Sequence, residues 1–428
     1  MSLRAKLNSV TLPVLGAVLL TLAVPSSLSN IATANTSTDT ASTATTIPAS
    51  TVTTNTIAPN PAALPQSPQI YPSRVDTAYM DARASRLMQQ LEMTGLSMAI
   101  VENGKITFAK GYGEALRDSG KIVNADTVFR WASVSKGVAA NTLLSLSEDG
   151  HFKMDAQAEA LAPSLKLPPA EKRVTLFDLL SHQIGIVRNA YDNRIEGGDG
   201  AKNARSKLSQ LSYLCAPATC HTYQNVTYDA SSEIIERTTG KSYAQVVQER
   251  VFNPLGMSTA SATYDGLVKG QNWARPHSRF GKRISRVKPN YYRVPAAAGI
   301  NSSVKDLAKW MVAQMPDYSS FPDERLAEMQ RPRVETIREQ RFLNRRFGDL
   351  RNAHYGLGWR VYDYHGNKVV GHRGGVQGYR ALALFDPEKN AGIAVMWNSP
   401  HTRPIGLQME FLDQLYGFPQ RDWMDFGK

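Results

Sequence analysis

Beyond residue 75 the apolar positions fall into β-rich runs near both ends of the chain, with helical spacing between them. Asp76 is a suitable N-cap for a helix running to about Leu91. Leu96–Val101 and Ile106–Lys110 follow as strands joined through Asn103-Gly104, a strong hairpin signal. A helix is predicted from about Ser133 to Asp149, with Val138, Leu143, Leu144 and Leu146 as its apolar positions. From about Ala156 to Met329 the signals are mostly helical, clearest over Ser231–Thr238 and Val304–Met311. Past Tyr355 strands return: Tyr379–Phe385 and Gly392–Trp397 should pair around the turn at Asp386-Pro387-Glu388-Lys389-Asn390. This order predicts an α+β fold. An antiparallel sheet flanked by helices would form one lobe (75–155 and 335–428), an all-α segment (156–334) the other, with a site in the cleft between them.

The first 74 residues follow neither pattern. Arg4 and Lys6 precede an apolar stretch, Val10–Val24, and then Ala32-Thr33-Ala34. That is the layout of a secretory signal over residues 1–34. The stretch is short for a membrane span and contains Pro13, although an uncleaved N-terminal anchor has the same features. Residues 35–74 are rich in Thr, Ser, Ala and Pro and almost uncharged, which predicts a disordered tether. The expected location is the periplasm or the exterior, with possible association with the envelope. In an oxidising compartment Cys215 and Cys220 could close a small local loop, or both could remain free thiols. With His221 they make no convincing metal site, and no cofactor is expected.

Charge changes this picture little. The 428 residues carry 49 Lys and Arg against 37 Asp and Glu, a net charge of +12. No basic run or basic-aromatic interleaving accompanies it, so no nucleic-acid partner is expected. The densest basic stretch, from Arg275 to Arg293, reads as a solvated loop.

Three short elements could carry chemistry. Ser133-Val134-Ser135-Lys136 puts a hydroxyl and an amine on one helix face, where burial would let the lysine take the serine proton. The same spacing recurs at Ser285–Lys288 and Ser302–Lys305, so context decides. Only the first match follows Thr127–Ala132 and leads into an apolar helix that could half-bury its lysine; the others sit in a basic loop and at a helix start with no such setting. Tyr223-Gln224-Asn225 offers a phenol to relay protons and an amide to hold a substrate, with a rival triplet at Tyr191-Asp192-Asn193. His372-Arg373-Gly374-Gly375 lies just before a predicted strand. There Gly375 could donate its N–H, with that of Ser133, to an oxyanion, and His372 could carry positive charge beside the nucleophile.

In this order, with FRWASVSK (Phe129–Lys136), LLSHQIG (Leu179–Gly185), NPLGM (Asn253–Met257) and GHRGG (Gly371–Gly375), the elements resemble a known superfamily. Its members are class C serine β-lactamases, D-alanyl-D-alanine carboxypeptidases and family VIII esterases. The resemblance covers roughly residues 76–416. It implies a β-lactamase-like fold, no metal, and an acyl-enzyme on Ser133. Lys136, Tyr223 and His372 would complete the catalytic set, with Asn225, Arg373, Gly374 and Gly375 on the substrate. Arg373 stands where those relatives commonly have a hydroxyl for a substrate carboxylate, which its guanidinium would have to replace. The substrates implied are β-lactams or D-amino-acid peptides, small or derived from peptidoglycan. A carboxylesterase and a non-catalytic penicillin-binding or scaffold protein are the alternatives.

Overall fold

The computed structural model describes residues 72–278 and 283–426. The expected signal, and all but the last residues of the expected tether, lie outside the described residues. At Ser73 the chain is already attached: the Ser73 hydroxyl and the Arg74 amide donate to Glu102 at 2.8 and 2.9 Å. Helix α1 (Thr77–Leu87) starts where Asp76 Oδ1 accepts from the amides of Ala78 and Tyr79. It ends short of Leu91. Strands β1 (Gly95–Glu102) and β2 (Lys105–Leu116) form the expected hairpin. Its turn residues Asn103 and Gly104 have φ of 50° and 67°, the left-handed values that a tight two-residue turn requires.

Strand β3 (Lys121–Ile122) closes that edge, and β4 (Phe129–Arg130) leads into the turn that bears Ser133. Helix α2 (Ser135–Glu148) follows. The helical region contains α3 (Ala230–Thr239) and α4 (Pro295–Ala298). It leads to β5 (Asn301–Ser302), which pairs with β4, and then to α5 (Val304–Val312) and α6 (Asp323–Gln330). The chain returns to the sheet with β6 (Val334–Glu335), α7 (Ile337–Arg346), β7 (Leu350–Tyr355) and β8 (Arg360–Tyr364). It finishes with β9 (Asn367–Val376), β10 (Tyr379–Asp386), β11 (Ala391–Trp397) and α8 (Gly406–Tyr416). His372 to Gly375 therefore lie within a strand, not before one.

Nine strands form one antiparallel sheet in the order β3-β2-β1-β11-β10-β9-β8-β7-β6. Leu96, Met98 and Ile100 of β1, with Ile393 and Val395 of β11, face a core closed by α1 and α8. Ala99, Val101, Ala394 and Met396 point the other way, into a core continuous with the helical region. Because both faces are covered, these strands read as unbroken apolar runs. Arg83 of α1 binds Glu410 of α8 through two bonds of 2.8 and 2.6 Å. Helix α2 packs against α3, α4 and α6, whereas α5 packs on β1, β2 and β11.

One buried ionic group ties the helical region together. Arg205, 2% exposed, contacts Asp229 at 2.8 Å and Glu233 at 3.1 Å and donates to the Ser164 hydroxyl at 2.8 Å. Asp229 Oδ1 in turn accepts from the Ala296 amide of α4 at 3.0 Å. Replacing Arg205 by methionine leaves two buried carboxylates without their cation. We expect a loss of about 3–5 kcal/mol in urea-unfolding stability; a loss below about 1 kcal/mol would mean that the network can be spared.

Candidate active site

Ser133 sits in a single 3-10 turn, Ala132–Val134, just before α2. The turn is clamped from both sides. The Trp131 amide donates to the Ile300 carbonyl (2.9 Å) and its indole to Ser302 Oγ (2.8 Å), while Ser135 Oγ accepts from the Ile300 amide (3.1 Å). These contacts hold Ala132 at φ 49°, a left-handed conformation that costs an alanine about 1–2 kcal/mol. Ser133 is partly exposed and opens on a cleft of about 990 Å³. Strand β9 runs directly against the turn. A methyl at Gly374 would lie 2.0 Å from the Trp131 carbonyl oxygen and 3.1 Å from the Ser133 amide, so only glycine lets the strand approach. Gly375, the next residue, lines the cleft beside Ser133.

Lys136 is fully buried, and three acceptors surround its amine. Asn225 Oδ1 lies at 2.7 Å, the Ala297 carbonyl at 2.9 Å and Ser133 Oγ at 3.5 Å. The rings of Tyr223 and Tyr228 pack at 4.8 and 5.3 Å. Asn225 is itself held, because its Nδ2 donates to Asp192 Oδ2 at 2.7 Å. Both ends of the amide are thus engaged, and Asn225 orients Lys136 instead of facing a substrate alone. Asp192 belongs to the triplet that sequence reasoning set aside. Its Oδ1 is buried without a hydrogen-bond partner, and burial raises its pKa. The Tyr223 hydroxyl makes no hydrogen bond among the described residues, and the residue lines the cleft. The structure therefore brings Ser133, Lys136, Tyr223 and Asn225 together.

His372 departs from expectation. Its Nδ1 lies 2.9 Å from the Arg373 carbonyl, which can only accept, so Nδ1 carries the ring proton and Nε2 accepts from Tyr355 Oη at 2.9 Å. Burial, with Arg360 and Lys136 nearby, pushes its pKa well below the usual imidazole value. It is a neutral ring with both nitrogens occupied, not a cation beside the nucleophile. Arg373 also departs. Glu339 of α7 binds it and also lies 3.5 Å from Arg360, so the guanidinium meant for a substrate carboxylate already shares a protein carboxylate with Arg360. Cys215 and Cys220 are joined in a disulfide just before His221.

The basic stretch is not simply solvated: Arg286 and Lys288 line the cleft. Sequence reasoning missed Arg130, Arg188, Arg360 and Arg380 in the same lining, as well as Asp192, Glu196 and Glu339. Arg130, within the FRWASVSK phrase, and Asp192, within the rival triplet, stood in recognised signals.

Beneath the cleft His182 packs against Tyr223 at 4.2 Å and Tyr355 at 4.8 Å, and His221 lies 5.8 Å away. Burial lowers the pKa of His182 strongly and pushes that of His221 down to about 3. The unfolded chain takes up these protons near pH 6.5, whereas the folded one refuses them until far lower pH. Stability should therefore be full above pH 6.5 and fall as the pH drops towards 3. Each imidazole contributes at most about 1.4 kcal/mol per pH unit in that window. Urea midpoints measured between pH 7 and 4 should follow this slope, and His221→Gln should flatten it.

The description of the Beta-lactamase family matches residues 80–417. Unguisins hydrolase ungD of Aspergillus violaceofuscus is 27% identical over 366 residues, covering 78% of this chain and 64% of its own length. A D-aminopeptidase of Gluconobacter oxydans is 25% identical over 333 residues, covering 75% and 59%. The chain thus spans less than two thirds of these curated relatives. Among solved structures, the octameric penicillin-binding protein homologue from Pyrococcus abyssi superposes with a TM-score of 0.71 at 25% identity, over 80% of this chain and 78% of that one. With the match running from α1 to the end of α8, the chain belongs to the Beta-lactamase family.

Proposed function

We propose that this hydrolase cleaves amide bonds next to D-amino acids in small peptides, through an acyl-enzyme on Ser133. One observation carries the reading. Ser133 Oγ lies 3.5 Å from the buried Lys136 amine, in the same cleft as a Tyr223 hydroxyl with no partner among the described residues. In this mechanism Ser133 Oγ attacks the carbonyl carbon and its proton passes to Lys136 Nζ. The amides of Ser133 and Gly375 receive the developing oxyanion. Tyr223 protonates the leaving nitrogen and is reprotonated from Lys136. Water then releases the acyl group from Ser133.

A D-amino-acid amide is favoured over a β-lactam for two reasons. Arg373 is engaged by Glu339, which removes the expected carboxylate holder. The Gluconobacter relative carries the name D-aminopeptidase, and Asp192 and Glu196 give this cleft an acidic wall suited to a free amine. We place its work outside the cytoplasm, on the strength of the expected leader and of a disulfide suited to an oxidising compartment.

Release of p-nitroaniline from D-alanine p-nitroanilide tests the reading. Ser133→Ala should abolish it, Lys136→Ala should lower kcat/KM at least about a thousandfold, and Tyr223→Phe about a hundredfold. A fluorescent penicillin should label only protein that retains Ser133. Cleavage of nitrophenyl esters but not anilides would make the chain a carboxylesterase. No Ser133-dependent reaction with any of them would leave a binding protein.

A further inference from the structure

Apart from Arg188, whose guanidinium lies 5.6 Å from the centre of the Tyr223 ring, the cations of the cleft fall into two groups. Arg360 and Arg373 share Glu339. On a second stretch of the lining, formed by β4, the start of β10 and the segment before α4, Arg130 and Arg380 have no carboxylate partner among the described residues. Arg130 is 4% exposed, and its Nε and Nη2 are buried without a hydrogen-bond partner among the described residues. Its guanidinium carbon lies 4.2 Å from the centre of the Tyr292 ring. Arg380 faces Gly375 across the β9–β10 ladder, and its Nη1 would lie 2.7 Å from a methyl on that glycine. The same Nη1 donates to the carbonyls of Val376 (3.2 Å) and Tyr379 (3.0 Å). Nε and Nη2 make no hydrogen bond among the described residues. Arg286 and Lys288 line this cleft too, again without a carboxylate partner among the described residues.

Largely buried guanidinium groups without counter-ions are costly unless an anion arrives to meet them. We infer that this wall is a second substrate subsite, which takes a carboxylate carried by the substrate about one residue from the scissile bond. The position follows from Gly375, the residue that would hold the oxyanion, whose α-carbon lies against the Arg380 guanidinium. The inference deepens the amidohydrolase reading, on which it rests for its choice of peptide. The substrates selected are D-amino-acid peptides with an acidic residue at or next to the cleaved bond.

Two matched amide pairs test it on the intact protein. D-Ala-D-Glu against D-Ala-D-Gln places the extra carboxylate after the bond, and the p-nitroanilides of D-Glu and D-Gln place it before. The wild type should favour the acidic member of one pair by about tenfold in kcat/KM. That ratio should shrink towards one in Arg380→Gln, fall partly in Arg286→Gln, and decline with added salt. The second substitution lies on an exposed loop and guards against a folding defect in the first. Equal cleavage within both pairs would overturn the inference, as would a preference that survives both substitutions. If no amide is cleaved, the amidohydrolase reading fails, and 4-nitrophenyl hemiglutarate against 4-nitrophenyl valerate decides the subsite. A hemiglutarate preference lost in Arg380→Gln supports it, and equal rates overturn it.

Discussion

A primary amine carried into a protein interior must find its acceptors there, because water no longer reaches it and a bare one costs several kcal/mol. Lys136 finds them on parts of the chain that meet only when the helical region has closed on α2. Asn225 presents its carbonyl because Asp192 holds the other end of the amide. Ala297 presents its own because Asp229 holds the preceding amide, and Arg205 holds Asp229. The 3.5 Å between Ser133 and Lys136 is therefore set by residues well away from the reacting atoms. Such second-rank ties keep a flexible four-carbon stem in one place.

The environment around that amine is unusual in its balance. His182, His221 and His372 are held neutral by burial, and Tyr355 keeps its proton for the same reason. The aromatic floor around that amine is thus uncharged. Proton movements occur against this low-dielectric floor, while the cations of the cleft range from Arg130, buried, to Arg286 and Lys288, exposed.

Local signals were legible in the sequence where one segment decides its own structure. Asn103-Gly104 dictates a turn, Asp76 caps a helix, and the apolar run after Ser133 makes Lys136 a buried residue. The surroundings of a side chain stayed hidden where the answer comes from elsewhere in the chain. Nothing near His372 announces that Tyr355 will donate to it, or that the next carbonyl will fix its tautomer. Arg373 looks available until Glu339 arrives from α7. Tyr191-Asp192-Asn193 and Tyr223-Gln224-Asn225 looked like rivals, yet the fold joins them through Asp192 and Asn225. Spacing along a chain ranks such triplets against each other, whereas three-dimensional packing can use both.

The position of β1 between β2 and β11 has a consequence for how the molecule comes into being. Leu96 pairs with Trp397, roughly 300 residues later, and α1 rests on α8. Whenever the chain is delivered N-terminus first, from a ribosome or through a translocation pore, the β1–β2 hairpin waits with one apolar strand edge open. It acquires its neighbour only after almost everything else has emerged. Contacts of such long sequence separation form slowly, because the closure entropy of the whole intervening chain comes before any gain. During that interval the open edge invites pairing with other chains. Folding speed and protection by chaperones, more than final stability, should therefore set how much active protein a cell obtains.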